Sequence, residues 1–209
     1  MKIGNRKQSI LYMIELAVLT AIVLVLQLTG AAIRIPFLGT SVSLVLIPIA
    51  LGAMLLGPAA GAWLGFVFGA IAYVAGGVMA MDPFTTFLFQ NNPIITALIC
   101  FVKSTLAGFL AGVVYNLLKG KGKPLFAVFL SAMLVPVVNT GIFVLGCFLI
   151  MDTIGAFAAS IGVVGSTVYF IFIGLAGLNF VFEFAVNTIF SPAIHRIVQI
   201  VSKRLSRGI

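Results

Sequence analysis

The chain has 209 residues, of which 62% are hydrophobic and only 8% charged, with a formal net charge of +8. Its mean hydropathy is +1.28, whereas soluble domains carry about 25% charged residues, so the composition excludes a soluble protein and indicates an all-α integral membrane protein. At roughly 20 residues per span the length is taken up by six transmembrane helices, and no room remains for a soluble catalytic domain.

Lys2, Arg6 and Lys7 ahead of an apolar run imitate a signal peptide. That run reaches Thr29, about a full span, and more spans follow, so it reads as an uncleaved first helix. Apolar stretches bounded by Gly, Pro or charge predict spans over 9–29, 42–56, 58–79, 93–118, 124–150 and 167–200, one six-helix domain over 1–209. The second and third share a tight turn at Gly57-Pro58. Six spans place both termini on one side. Lys2, Arg6, Lys7, Lys119, Lys121, Lys123, Arg196, Lys203, Arg204 and Arg207 fall there, ten of the 12 basic residues, so the positive-inside rule makes both termini cytoplasmic. The same clustering at span ends explains the net charge without nucleic acid.

Between spans, residues 30–43 with Arg34 and Pro36, and residues 80–93 with Asp82, are rich in apolar side chains and read as structured covers over the mouth of a pocket. Residues 151–166 mix glycines with apolar residues and carry one charge, Asp152; they read as an interfacial loop, with a mobile lid as the alternative.

Gly57, Gly61, Gly65 and Gly69 recur every four residues and line one helix face with hydrogen, which lets another backbone approach closely. Ser104, Gly108 and Gly112 repeat the device on the fourth span. Ala17 and Ala21 form a small-xxx-small pair on the first, placed to pack internally or to dock a partner subunit.

Lys103 and Glu183 lie deep in apolar spans, where a charge is expensive and usually marks a bundle interior or a substrate path. Glu183 belongs to a stripe of Asn179, Glu183, Asn187 and Ser191 at intervals of four, a face that lipid does not tolerate. At 1.5 Å per residue, Lys103 lies about 15 Å and Glu183 about 24 Å from the outer ends of their helices, a mismatch of roughly 9 Å. Two arrangements follow. A direct pair is structural, because breaking one side strands the other; separate poles leave Lys103 for a substrate carboxylate.

Asn139 and Thr140 form a polar point on the fifth span beside Pro136, readable as a site contact or as a satisfied kink. Gln90, Asn91 and Asn92 follow Phe84, Phe87 and Phe89, a mixture found in small-molecule pockets and in interfacial belts alike. Cys100 and Cys147 fall in apolar stretches without metal or redox spacing, and His195 has no carboxylate or cysteine cluster nearby. No metal site is expected. The chain has no GxxxxGK[ST] run, so no nucleotide site of the P-loop type is expected either.

Three segments carry a likeness across essentially the whole chain: IPIALGAMLLGPAAGAWLGFVFG at 47–69, DPF at 82–84 followed by QNNPI, and LNFVFEFAVN at 178–187. They resemble the substrate-binding S component of energy-coupling factor (ECF) vitamin transporters, in particular the branch containing pantothenate carriers. The resemblance implies a subunit without catalytic activity in a bacterial cell membrane. It captures a small water-soluble vitamin or precursor near the outer face and docks on a coupling subunit bearing two ATPases. Cofactors are then absent from this chain and ATP is used by the partners, while Ala17 and Ala21 match the docking pattern on the first helix. Binding residues vary with substrate in this family, so Lys103, Asn139, Asn179, Glu183, Asn187, Gln90, Asn91, Asn92 and Arg34 are placements from this chain's own faces. A stand-alone proton-coupled carrier using Lys103 and Glu183, or an oligomeric channel, is the competing expectation.

Overall fold

The structure, a computed structural model, describes residues 2–32, 44–120, 122 and 124–207, with side chains described for 8–30, 44–120, 122 and 124–201. Arg34 and the rest of 33–43 lie outside the described residues. What is described is helical: α1 Lys2–Ala32, α2 Leu46–Leu56, α3 Pro58–Ile71, α4 Pro83–Asn91, α5 Pro93–Leu118, α6 Pro124–Leu149, α7 Met151–Ser160, α8 Thr167–Tyr169 and α9 Leu178–Arg207. α3 runs on into a π-helix, π1, Ala72–Val78, and a second, π2, Phe170–Gly177, joins α8 to α9.

Five stretches are long and apolar enough to cross a membrane: Gln8–Gly30, Pro58–Val78, Pro93–Leu118, Pro124–Leu149 and Thr167–Val201. This is the architecture of a multi-pass membrane protein. The second expected span is shorter than its run: α2 has 11 residues, about 16 Å against a hydrocarbon core of about 30 Å.

Proline opens α3, α4, α5 and α6 at Pro58, Pro83, Pro93 and Pro124, where its missing N–H is one that a first turn leaves free anyway. Gly57 makes the corner between α2 and α3 at φ 97°, a conformation open to glycine and strained for other residues. On the far side of that corner the glycine face does what its spacing predicts. A Cβ at Gly61, Gly65 or Gly69 would overlap the carbonyls of Gly108, Ser104 and Cys100, and one at Gly108 would overlap the carbonyl of Gly61. α3 and α5 therefore meet backbone to backbone, and Ser104 Oγ, buried at the contact, donates to Cys100 O at 2.9 Å. With Ser104 turned to α3, its neighbour Lys103 is turned about 100° away, toward α6 and α9.

Two apolar clusters form the interior. One gathers Leu19 and Val23 of α1 with Ile49 of α2, Leu64 of α3, Ala107 of α5 and Ile194 of α9. The other gathers Phe84, Ile99, Cys147, Ile154, Phe157 and Leu175.

The segments between spans differ from the sequence reading in an instructive way. Residues 80–93 are structured as expected: Asp82 caps α4, its Oδ2 accepting from Thr85 N at 2.8 Å, and Thr86 Oγ1 donates to Gly76 O at 2.8 Å, binding α4 to π1. Residues 151–166 do not form a plain loop. Ile154, Phe157 and Ala158 are buried along one face of α7, at the i, i+3, i+4 spacing of an amphipathic helix. Phe157 meets the rings of Phe84 at 5.1 Å, Phe87 at 5.4 Å and Phe170 at 6.4 Å. A single Gly155 does not break so short a helix once that face is buried. The loop character is confined to 161–166, where Gly162 and Gly165 take positive φ of 78° and 144°.

Candidate functional site

A cavity of about 110 Å³ lies between the two apolar clusters, roughly eight times the volume that admits one water. Its polar lining comes from five elements: Gln27 of α1, Asp82 and Thr85 at the start of α4, Thr96 and Lys103 of α5, Asn139 and Thr140 of α6, and Asn179 and Glu183 of α9. Phe68, Phe84 and Phe143 supply aromatic faces, and the helical turns π1 and π2 contribute Ala75, Gly76 and Ala176. Both π-helices thus border the same space. Their i→i+5 turns are wide, and such turns occur often at functional sites.

Lys103 and Glu183 share this cavity, so the depth mismatch expected from the sequence does not keep them apart. Part of the difference lies in π2, which packs more residues into each turn ahead of Glu183 than the α-helical rise assumed in the expectation. Nor do the two charges pair. Among the described residues no ion pair holds Lys103; its Nζ stands 5.3 Å from the centroid of Phe143 and 6.0 Å from that of Phe68. Ring faces attract a cation by about 0.5–2 kcal/mol depending on solvation. This is enough to position an ammonium without neutralising it.

Glu183 is 2% exposed. Its Oε1 accepts from Asn179 Nδ2 at 3.3 Å, while its Oε2 is buried without a hydrogen-bond partner. Asn139, 4% exposed, and Asn179 each keep a buried Oδ1 without a partner as well.

Four of the candidate binding residues, Lys103, Asn139, Asn179 and Glu183, therefore come together, and Thr140 lines the cavity beside Asn139. Asn187 does not line the cavity: it lies one turn further along α9, buried, donating through Nδ2 to Glu183 O at 2.9 Å, and Ser191 Oγ donates to Asn187 O at 2.7 Å. The far half of the polar stripe is thus bonded along its own helix through Asn187 Nδ2 and Ser191 Oγ, while Asn187 Oδ1 is buried without a partner. Gln90 and Asn91 are exposed, and Asn91 Nδ2 donates to Phe87 O at 2.8 Å. Asn92 Nδ2 donates to Thr153 Oγ1 at 2.6 Å, which ties the start of α5 to α7 rather than to the cavity. Ala17 and Ala21 are exposed on α1, on a face turned away from the bundle.

Gln27, Thr85 and Thr96 were not singled out beforehand. A signal existed for two of them. Gln27 continues the Leu19, Val23 face at intervals of four, and Thr96 lies two turns before Lys103. Thr85 enters through its place beside the Asp82 cap, which only the fold of α4 reveals.

Searches of curated proteins and of solved structures give no match. The profile of one family, ECF transporter, substrate-specific component, matches residues 11–195. The match runs from the first span to His195 in α9 and includes every side chain of the cavity. The chain belongs to this family of ECF transporter substrate-specific components, which are transporter subunits and not enzymes.

Proposed function

We propose that this chain captures a small water-soluble vitamin or vitamin precursor at the outer face of a bacterial cell membrane and releases it inward when docked on an ATP-driven partner module. In this reading α2 stands for the sixth span, and both termini are cytoplasmic, in keeping with the clustering of Lys and Arg. The chain carries no cofactor of its own, and ATP is hydrolysed by two partner ATPases. The coupling subunit meets α1 on the face bearing Ala17 and Ala21, whose small side chains admit a close helix approach.

One observation carries the reading: an ammonium, Lys103, near two rings beside a cavity and, among the described residues, without an ion-pair partner. Such a group is expensive in an apolar bundle and calls for an anion. Pantothenate, with one carboxylate, is the first ligand to test.

The test is mass spectrometry of small molecules carried through purification, followed by thermal-shift titration of wild type, Lys103→Ala and Glu183→Ala with a vitamin panel. Stabilisation of wild type by one vitamin, lost in both variants, is the expected outcome. Uptake by this chain alone in sealed vesicles, driven by a proton gradient, would instead identify a stand-alone carrier.

A further inference from the structure

Three oxygen atoms on one side of the cavity lack partners within the chain. Asn139 Oδ1, Asn179 Oδ1 and Glu183 Oε2 are all acceptor atoms, and all are buried without partners. Three donors on the lining are engaged within the chain: Thr85 Oγ1 donates to Asp82 Oδ2, Thr96 Oγ1 to Asn92 O at 2.8 Å, and Asn179 Nδ2 to Glu183; Lys103, on the opposite side, is left to meet an anionic group. That last bond also sets the Asn179 amide, since the reversed amide would turn its oxygen toward a carboxylate. Amide oxygens only accept, and a buried polar atom without a partner is costly enough that native structures nearly always satisfy it. Three such atoms around one cavity indicate a partner from outside the chain.

We infer, resting on the proposed reading as a vitamin-binding subunit, that the α6–α9 side of the cavity is a receptor for hydrogen-bond donors. The ligand presents hydroxyl or N–H groups to Asn139, Asn179 and Glu183 while its anionic group lies at Lys103. The terminal torsions of Asn and Glu are broad, so a small rotation turns each orphan oxygen to a seated ligand. The substrate class is then a carboxylic acid that bears hydroxyl or amide N–H donors several bonds from the carboxylate. A plain fatty or short-chain acid of equal length satisfies Lys103 and leaves three acceptors unmet; a site built on hydrogen bonds rejects ligands that lack them far more strongly than it rejects ones that differ by a methylene.

The experiment is calorimetric titration of the full chain in nanodiscs with three probes. They are pantothenate, its alcohol analogue (which keeps every donor and lacks the carboxylate), and a straight-chain saturated carboxylate of similar length. For wild type, the donor-free acid is expected to bind at least about a hundredfold more weakly than pantothenate. Glu183→Gln is expected to weaken pantothenate and the alcohol alike by about tenfold or more, the usual effect of a hydrogen bond to a charged group. Lys103→Met is expected to weaken pantothenate more than the alcohol. Asn139→Leu provides a second variant on α6, with ligand-free melting as the check that each variant is folded. Equal binding of the donor-free acid by wild type, or undiminished pantothenate binding by both Glu183→Gln and Asn139→Leu, overturns the inference and leaves the vitamin-binding reading standing. A wild type that none of the vitamins stabilises overturns both.

Discussion

Lys103 and Glu183 border one cavity from α5 and α9 without forming an ion pair, one held by the rings of Phe68 and Phe143, the other by Asn179. Removing one partner of a buried pair costs about 3–5 kcal/mol because the other charge is stranded. Here no such partner is left behind. Lys103→Met is therefore expected to shift the ligand-free melting temperature far less than a broken buried pair would, while weakening a carboxylate ligand by about tenfold or more. Melting and titration of the same preparation check both halves, and a large loss of ligand-free stability would show that Lys103 is structural.

Asp82 has two separable tasks, capping α4 and lining the cavity. Asp82→Ala removes the cap and is expected to destabilise the protein by about 1 kcal/mol. Asp82→Asn keeps a capping oxygen and is expected to retain most of that stability. A difference in ligand affinity between wild type and Asp82→Asn then reports the charge of Asp82 at the cavity, free of the cap.

The contact between α3 and α5 leaves no space for a methyl group. Gly65→Ala puts a Cβ onto the Ser104 carbonyl, and the overpacking is expected to cost about 1–3 kcal/mol. Gly141→Ala on α6 meets nothing within 4 Å and is expected to be neutral or slightly stabilising, since alanine is the better helix former. Comparing the two melting temperatures in one detergent tests whether close packing, rather than glycine content, holds the bundle. Because Ser104 adjoins Lys103, Gly65→Ala is also expected to weaken ligand binding.

Ala17 and Ala21 face outward. Replacing both with Trp is expected to leave ligand binding by the isolated chain intact and to abolish ATP-driven uptake in cells that supply the partner module. Vitamin uptake assays alongside titration of the purified variant separate the outcomes. Unimpaired uptake would remove this face from the docking surface.

Much of the site was legible in the sequence, for one reason: charge and amide groups are conspicuous against apolar spans, and Lys103, Asn139, Asn179 and Glu183 stand out on that ground alone. Thr85 and Thr96 do not stand out, because a threonine hydroxyl can be satisfied by its own helix, as Thr96 on Asn92 O illustrates. Asn187 was equally conspicuous yet does not border the cavity, since a four-residue period cannot say where along a helix the neighbouring helices diverge. α7 was read as loop because its buried face is short, and its burial depends on Phe84, Phe87 and Phe170 from elsewhere in the chain.

The sequence by itself determined the solvent and the element type. Apolar runs of spanning length must satisfy their backbone groups internally, and in lipid that leaves the helix as the structure for such runs. It also marked the small-residue faces of α3 and α5 as places of close approach, whereas the contact of one with the other was decided by the tertiary structure. Only the tertiary structure decided which polar groups meet. Relative depth depends on how many residues each turn holds, and the π-helical turns before Glu183 changed that count. The same packing left Lys103 beside a cavity without an ion pair among the described residues, and that placement carries the proposed function.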